Sequence, residues 1–419
     1  MSTVEPIDIL PAPFFHLPLM EVGAGFDMLK GIRVLDLTGS IAGPYATMLL
    51  ADMGAEVLKI ERLGTGDDTR SWGPPFLDGE ALWFQSVNRN KSSIVLDYTS
   101  AEGLETLKEL AKVSDVVVVN LLPASAKKFK VDADSLQAVK PDLIYVSITG
   151  FGLQGERASW ACYDLIAEGY SGVMDLTGEF EGGPQKIGAP AADMLAGGDA
   201  AYATVAALFA RQRDGRGRLV DIALVDSMTR FLACRIMPYL GSGEVPRRSG
   251  GKDSVIAIYQ AFDTADLPIT LALGNDNIWQ RFWQAVGQPE VAEIPRYATN
   301  AGRRAHRQEL VNRIQELLNQ KTRSHWLDMF RLARIPAGPI NRVDEAAADA
   351  ALQQRGLFYR LKSNGQDIPQ VGSGILIDGK PNQPRQAPPR LGEHTTEILR
   401  SLLGYDDAAI EALKRAKAI

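Results

Sequence analysis

The 419-residue sequence has two cysteines, Cys162 and Cys234, and four widely separated histidines, His16, His306, His325 and His394. Two thiols cannot build a disulfide framework, and no Cys/His spacing has the form of a zinc site. No metal site is therefore expected. No uninterrupted apolar run reaches the ~18 residues of a membrane span, so no membrane partner is expected. The chain does not open on a basic region followed by an apolar stretch, so no secretory leader is expected. Excess positive charge is also lacking, with 45 Lys and Arg against 51 Asp and Glu and a net charge of −6. That argues against a broad nucleic-acid surface and leaves room for a local basic pocket. With 45% hydrophobic and 23% charged residues, the composition is globular. Its length suggests two or three domains. A reduced, cytoplasmic protein is the expectation.

Residues 1–28 carry four prolines and no apolar period, so they read as an irregular arm. Order begins near Gly31. Short apolar strands are expected at 33–37, 55–60, 93–96, 115–119 and 143–148. Helices are expected at 45–53, 101–112 and 134–139. The four valines at 116–119 mark a strand buried on both faces. Alternating strands and helices imply an α/β domain with a mostly parallel sheet over 29–225. An Ala-rich helix follows at 194–211, then another at about 222–237. Residues 226–335 read as a linker helix and a smaller α+β domain. Residues 336–419 form a C-terminal segment.

The loop after the first strand, Thr38-Gly39-Ser40-Ile41-Ala42-Gly43, leads into Pro44 and a helix. It lacks the G-x-G-x-x-G of a dinucleotide site, although Glu61 stands where a ribose-binding acid would. No Walker A sequence is present, so ATP is disfavoured too. Basic residues recur at strand ends, namely Arg62, Arg70, Arg89, Lys91, Lys127 and Lys128. Singly they read as solvated surface; together, in an acidic chain, they suggest a phosphorylated ligand. Asp193 precedes the Ala-rich helix. It reads either as an N-cap or as a nucleophile held ionised by the helix dipole. Asp164 reads as a second cap. Gly250-Gly251 reads as a plain turn or as a mobile cover over a site. Ser40 and Ser227 have no nearby histidine and sit in no nucleophile elbow, so a hydrolase triad is unsupported.

Several ordered stretches resemble one family. They are G-I-R-V-L-D-L-T at 31–38, the run A-G-P-Y through K-I-E-R at 42–62, and G-D-D-T-R at 66–70. N-R-N-K-S-S-I at 88–94, S-I-T-G-F-G at 147–152, Y-D at 163–164 and D-G-R-G-R at 214–218 follow. L-G-E-H-T at 391–395 and L-G-Y at 403–405 complete the set. Over residues 30–419 the chain resembles the class III coenzyme A transferases. That group includes formyl-CoA transferase, carnitine CoA-transferase and alpha-methylacyl-CoA racemase. The resemblance implies an interlocked homodimer. Each subunit would have a Rossmann-like large domain, completed by the C-terminal segment, and a small domain. No permanently bound cofactor is implied; CoA and acyl-CoA are substrates, with a small carboxylic acid as the other partner.

The resemblance also assigns roles. The family nucleophile lies eighteen residues before a basic residue closing the long helix, the separation of Asp193 and Arg211. Asp193 would attack the donor thioester and carry CoA as an aspartyl thioester. Gly250 and Gly251 would shield the intermediates. Ser40, Ile41, Ala42, Arg62, Leu96, Thr99, Asn120, Leu122, Lys128 and Tyr163 would contact CoA. Ile41 replaces a glutamine important in formyl-CoA transferase, which argues against formate or oxalate. Arg247, Arg248 and Lys252 flank the glycine pair. They point to a small dicarboxylic acid, with succinyl-CoA as a candidate donor, or else are plain surface residues. Two rivals stand. The racemase branch pairs a histidine with an aspartate at the position of Asp164, and no histidine lies between His16 and His306. A non-catalytic CoA-binding subunit of a heteromeric transferase is the other; retention of Asp193 speaks against it.

Overall fold

A computed structural model describes residues 13–363 and 365–419; the first twelve residues of the arm lie outside them. Two compact units form. The first comprises the described residues through Val173, with Ile187–Met237 and Ala347–Ile419. The second comprises Met174–Lys186 and Pro238–Ala346. Its limits differ from the expected 226–335, because the helix Leu224–Phe231 packs on Ala191–Asp214 in the first unit.

The first unit is built on six parallel strands: β1 (Arg33–Leu37), β2 (Glu56–Glu61), β3 (Lys91–Val95), β4 (Val116–Val119), β5 (Ile144–Thr149) and β6 (Arg218–Ala223). Their order is β3-β2-β1-β4-β5-β6, that of doubly wound dinucleotide-binding sheets. The valines of β4 are at most 1% exposed, as a strand covered on both faces requires. The sixth strand occupies residues for which no strand was expected, and the helix expected from about 222 begins just after it, at Leu224. In Arg218–Ala223 exposed and half-buried residues alternate along most of its length, and β5 pairs it on one side only. An edge strand without a continuous apolar run was hard to read.

Helices fill the crossovers. We label α1 Ala42–Asp52, α2 Ala101–Lys112, α3 Asp164–Ser171 and α4 Ala191–Asp214. Ser100 caps α2 by accepting from the Gly103 amide at 3.1 Å. Pro44 stands in the first turn of α1, two residues inside its start. Helix α4 packs closely on α1. A Cβ at Gly197 would lie 2.6 Å from the Ala42 carbonyl oxygen, so only glycine allows this approach.

Residues 347–419 complete the first unit. The Arg385 guanidinium donates to the carbonyls of Ala51, Gly54 and Ala55 at 2.7–2.8 Å. The Gly392 and His394 amides bond to Ser93, and Val95 N–H donates to Thr395 Oγ1. Past residue 16, the arm runs against this segment, with Met20 N–H donating to Arg360 and Gly23 N–H to Pro384.

The second unit has its own antiparallel sheet of Tyr259–Phe262, Ile269–Ala272 and Ala337–Pro339. Helices Asp276–Ala285, Arg307–Leu318 and Arg323–Leu332 enclose a core around Trp279, Trp283 and Phe330. Among the described residues no helix is long and apolar enough to cross a membrane. No group of three or more His, Cys, Asp or Glu among them is placed to hold a metal ion.

Arg89 and Asp52 form a buried two-point ion pair at 2.6 and 3.0 Å. Both are 2% exposed, and Arg89 also donates to the Val371 carbonyl. Arg89→Ala strands the Asp52 carboxylate without its cation. The expected loss is about 3–5 kcal/mol, read as a lower urea midpoint, with partial recovery in Arg89→Ala/Asp52→Asn.

Candidate active site

The sheet reverses its strand order between β1 and β4, which opens a crevice beyond their carboxyl ends. Gly39 and Asn120 meet there. Gly39 N–H donates to Asn120 Oδ1 at 3.1 Å, and Asn120 Nδ2 donates to the Gly39 carbonyl at 2.8 Å. Above them lies a cavity of about 400 Å³, the size of a small-molecule site. Two further cavities hold about 10 and 30 Å³, room for little more than water.

The cavity brings together Ser40, Ala42, Arg62, Asn120, Leu122, Tyr163 and Asp193. These come from five separate stretches of the chain. Ile41, Leu96, Thr99 and Lys128 do not line it. Ile41 and Leu96 are buried in the core, at 3% and 1% exposure. Thr99 is exposed and bonded to Asp97. Tyr98, between them, turns its side chain into the cavity instead. Lys128 is exposed, its ammonium 5.4 Å from the Phe129 ring centre.

Of the basic residues singled out at strand ends, Arg70, Arg89 and Lys91 are not ligand-facing. Each is buried against an acid: Glu61, Asp52 and Asp36 respectively. Glu61 binds Arg70, Ser93 Oγ and the Asp67 amide, so it is no ribose acceptor. Arg62 does reach the cavity. It is well exposed and pairs with Asp68 beside it.

Asp193 is the third residue of α4, and Pro190 is the N-cap position. The cap is supplied by Asp164, whose Oδ1 accepts from the amides of Ala192 at 2.8 Å and Asp193 at 3.4 Å. This changes the expected electrostatics. Two amide donors at the helix start serve Asp164, while Asp193 is 7% exposed beside a second carboxylate. Burial, and then the Asp164 charge, push the Asp193 carboxyl up to about 7. The dipole does not hold it fully ionised. Cys162 also lines the cavity, but burial and the nearby Asp193 raise its thiol to about 11. A thiol so rarely ionised is a poor nucleophile. No histidine lines the cavity among the described residues.

Gly250 and Gly251 lie in the second unit. Gly250 has φ +63° and donates its N–H to the Gly178 carbonyl at 3.0 Å. A Cβ there would lie 2.5 Å from Glu179 Oε2. The pair is built as a tight turn. Arg248 is already engaged with Asp175, at 3.2 Å to its carbonyl and 3.5 Å to its carboxylate.

Sequence reasoning missed Thr38 and Asp67 as lining residues. Asp67 and Asp68 stood inside the quoted G-D-D-T-R stretch, and Thr38 in the loop after β1.

Comparison with known proteins shows the family of the chain. The profile described as CoA-transferase family III matches residues 29–395. A succinate–glutarate CoA-transferase of Agrobacterium fabrum is 40% identical over 89% of this chain and 95% of its own. A succinyl-CoA:glutarate CoA-transferase of Mus musculus is 37% identical over 92% of this chain and 88% of its own. The crystal structure of a CAIB/BAIF family protein from Brucella suis superposes with a TM-score of 0.79. It shows 38% identity, covering 89% of this chain and 99% of that one. The chain belongs to CoA-transferase family III, enzymes that move coenzyme A between an acyl thioester and a carboxylic acid.

Proposed function

We propose that this transferase takes CoA from succinyl-CoA and gives it to a dicarboxylic acid of about glutarate size, with Asp193 carrying the CoA. The carrying observation is the buried Asp193 carboxylate facing the same 400 Å³ cavity that Arg62 reaches from solvent. The two relatives named for succinate and glutarate support the substrate class.

In this reading an oxygen of ionised Asp193 attacks the thioester carbonyl, and the C–S bond breaks. A mixed anhydride and CoA thiolate result. The thiolate then attacks the Asp193 carboxyl carbon and releases succinate, leaving an aspartyl-CoA thioester. The acceptor carboxylate repeats both steps in reverse. Asp193 must be ionised to begin, and burial keeps water from the anhydride. Arg62 and the exposed Lys128 meet CoA phosphate charge, while Asn120, Leu122 and Tyr163 flank the pantetheine. Gly250 and Gly251 shield the intermediates, as the family resemblance implies.

The reading includes an interlocked homodimer in the cytoplasm. Tyr202, Phe209 and Phe231 are 78%, 62% and 55% exposed, an apolar surface that a partner copy would cover.

Incubation with succinyl-CoA should leave a CoA-sized adduct by intact mass spectrometry. Glutarate should remove it, and Asp193→Ala should not form it. CoA binding with no adduct from any donor would overturn the reading in favour of a non-catalytic subunit.

A pKa near 7 also sets a pH profile. The expected kcat/KM for succinyl-CoA falls about tenfold per unit well below pH 7. Asp164→Asn keeps a capping side chain and removes the neighbouring charge, so its midpoint should move to lower pH.

Stability should show the opposite trend. The folded pKa lies above the ordinary 3.8. The contribution is therefore complete below pH 4 and is lost as pH rises to about 7. Asp193→Asn removes that loss. The variant should match wild type near pH 4 and exceed it at pH 8 by up to about 4 kcal/mol, read by denaturant unfolding.

A further inference from the structure

The floor of the cavity is more highly charged than its walls. Lys59 and Lys91 are fully buried, as is Asp36, while Asp67 is 6% exposed. Lys59 Nζ donates to Asp67 Oδ2 at 2.8 Å and to the Thr38 carbonyl at 2.9 Å. The other Asp67 oxygen, Oδ1, accepts from Ser40 N–H at 3.1 Å and from the Thr69 amide at 2.9 Å. Asp36 accepts from Thr38 N–H at 3.0 Å and from Lys91 at 3.1 Å. Glu61 holds the Asp67 amide at 3.0 Å.

Removing such ions from water is costly, and well-packed apolar residues often serve stability as well. The arrangement therefore calls for a role beyond holding the sheet together. Its bonds converge on one short loop. Thr38 and Ser40, both of which line the cavity, are fixed from below by Lys59 and Asp67. Ser40 has φ +67°, a left-handed conformation that a serine keeps only when its surroundings impose it.

We propose that Lys59 and Asp67 are positioning residues for CoA: the ion pair clamps the Thr38–Ala42 loop in the shape that receives the substrate. Neither residue reacts. Asp67 sets the Ser40 amide and Lys59 sets the Thr38 carbonyl, from opposite ends of one bond. The inference rests on the reading of this cavity as the CoA site.

The test is the paired variant Lys59→Met/Asp67→Ala. It removes both charges together, so no lone ion stays buried. Hydrogen exchange of the 38–43 amides is measured with and without CoA, beside steady-state kinetics and thermal unfolding. The expected result is cooperative unfolding, faster loop exchange, and a KM for succinyl-CoA raised about tenfold. The expected kcat stays within about threefold, because Asp193 stands on another element. A shifted Tm with wild-type KM and loop exchange would overturn the inference and leave the pair purely structural. If CoA fails to protect the loop of the wild-type enzyme, the reading of the cavity falls, and the inference with it. Lys59→Arg covers the case where the paired variant does not fold. It keeps the charge but cannot place a guanidinium where the ammonium bridges Thr38 and Asp67. A severalfold higher KM in Lys59→Arg supports the clamp, and an unchanged KM overturns it.

Discussion

The site depends on a reversal in the sheet. Because β4 joins β1 on the side opposite β2, the loops leaving β1 and β4 part and a crevice opens between them. The two hydrogen bonds between Gly39 and Asn120 mark its base. Everything chemical in the first unit is then placed by what can approach that point. Helix α1 starts there, and α4 reaches it because Gly197 lets the helices nearly touch. That contact is one turn from Asp193. A larger residue at 197 would push away the element carrying the carboxylate.

The fold class and much of the site could be read in the sequence because both rest on local signals. The run of valines at 116–119 gave a strand that is buried as expected. The 3.6 period at 101–112 gave a helix with the same ends, Ala101–Lys112. The family resemblance, which carries an eighteen-residue separation matched by Asp193 and Arg211, pointed to an acid that lines the cavity. What was not legible depends on tertiary partners. Arg70, Arg89 and Lys91 look like any surface cations in one dimension; only the fold brings Glu61, Asp52 and Asp36 against them. Tyr98 enters the cavity while its neighbours Leu96 and Thr99 do not, which is a matter of side-chain direction at the end of a strand. The state of Asp193 was hidden for the same reason. Asp164, 29 residues earlier, takes the helix amides that a sequence reading assigns to Asp193.

These acids show how one fold treats the same functional group in two ways. Burial alone would raise the Asp36 carboxyl, but Lys91 and Lys59 outweigh it and hold it down at about 2. Asp67 is likewise buried and is held below its usual range by Lys59 and its hydrogen bonds. Both are locked as anions at any physiological pH. They can hold backbone amides without exchanging protons with solvent. Asp193 is nearly as buried but has no cation against it among its perturbing neighbours, only another acid. Its charge is therefore available and poorly stabilised.

In the proposed mechanism that difference separates structural acids from a reactive one. A carboxylate neutralised by lysine is a weak nucleophile, because bond formation would cost it the ion pair. A carboxylate with a raised pKa is more basic and keeps its charge at the expense of the fold. In the proposed mechanism Asp193 would lose its negative charge on forming an acyl anhydride or thioester. The repulsion from Asp164 would go with it. The covalent state would then be favoured over the free ionised one without any new contact to substrate. A lysine opposite Asp193 would stabilise the resting enzyme and remove that advantage. The absence of a perturbing cation is as much a part of the site as the carboxylate itself.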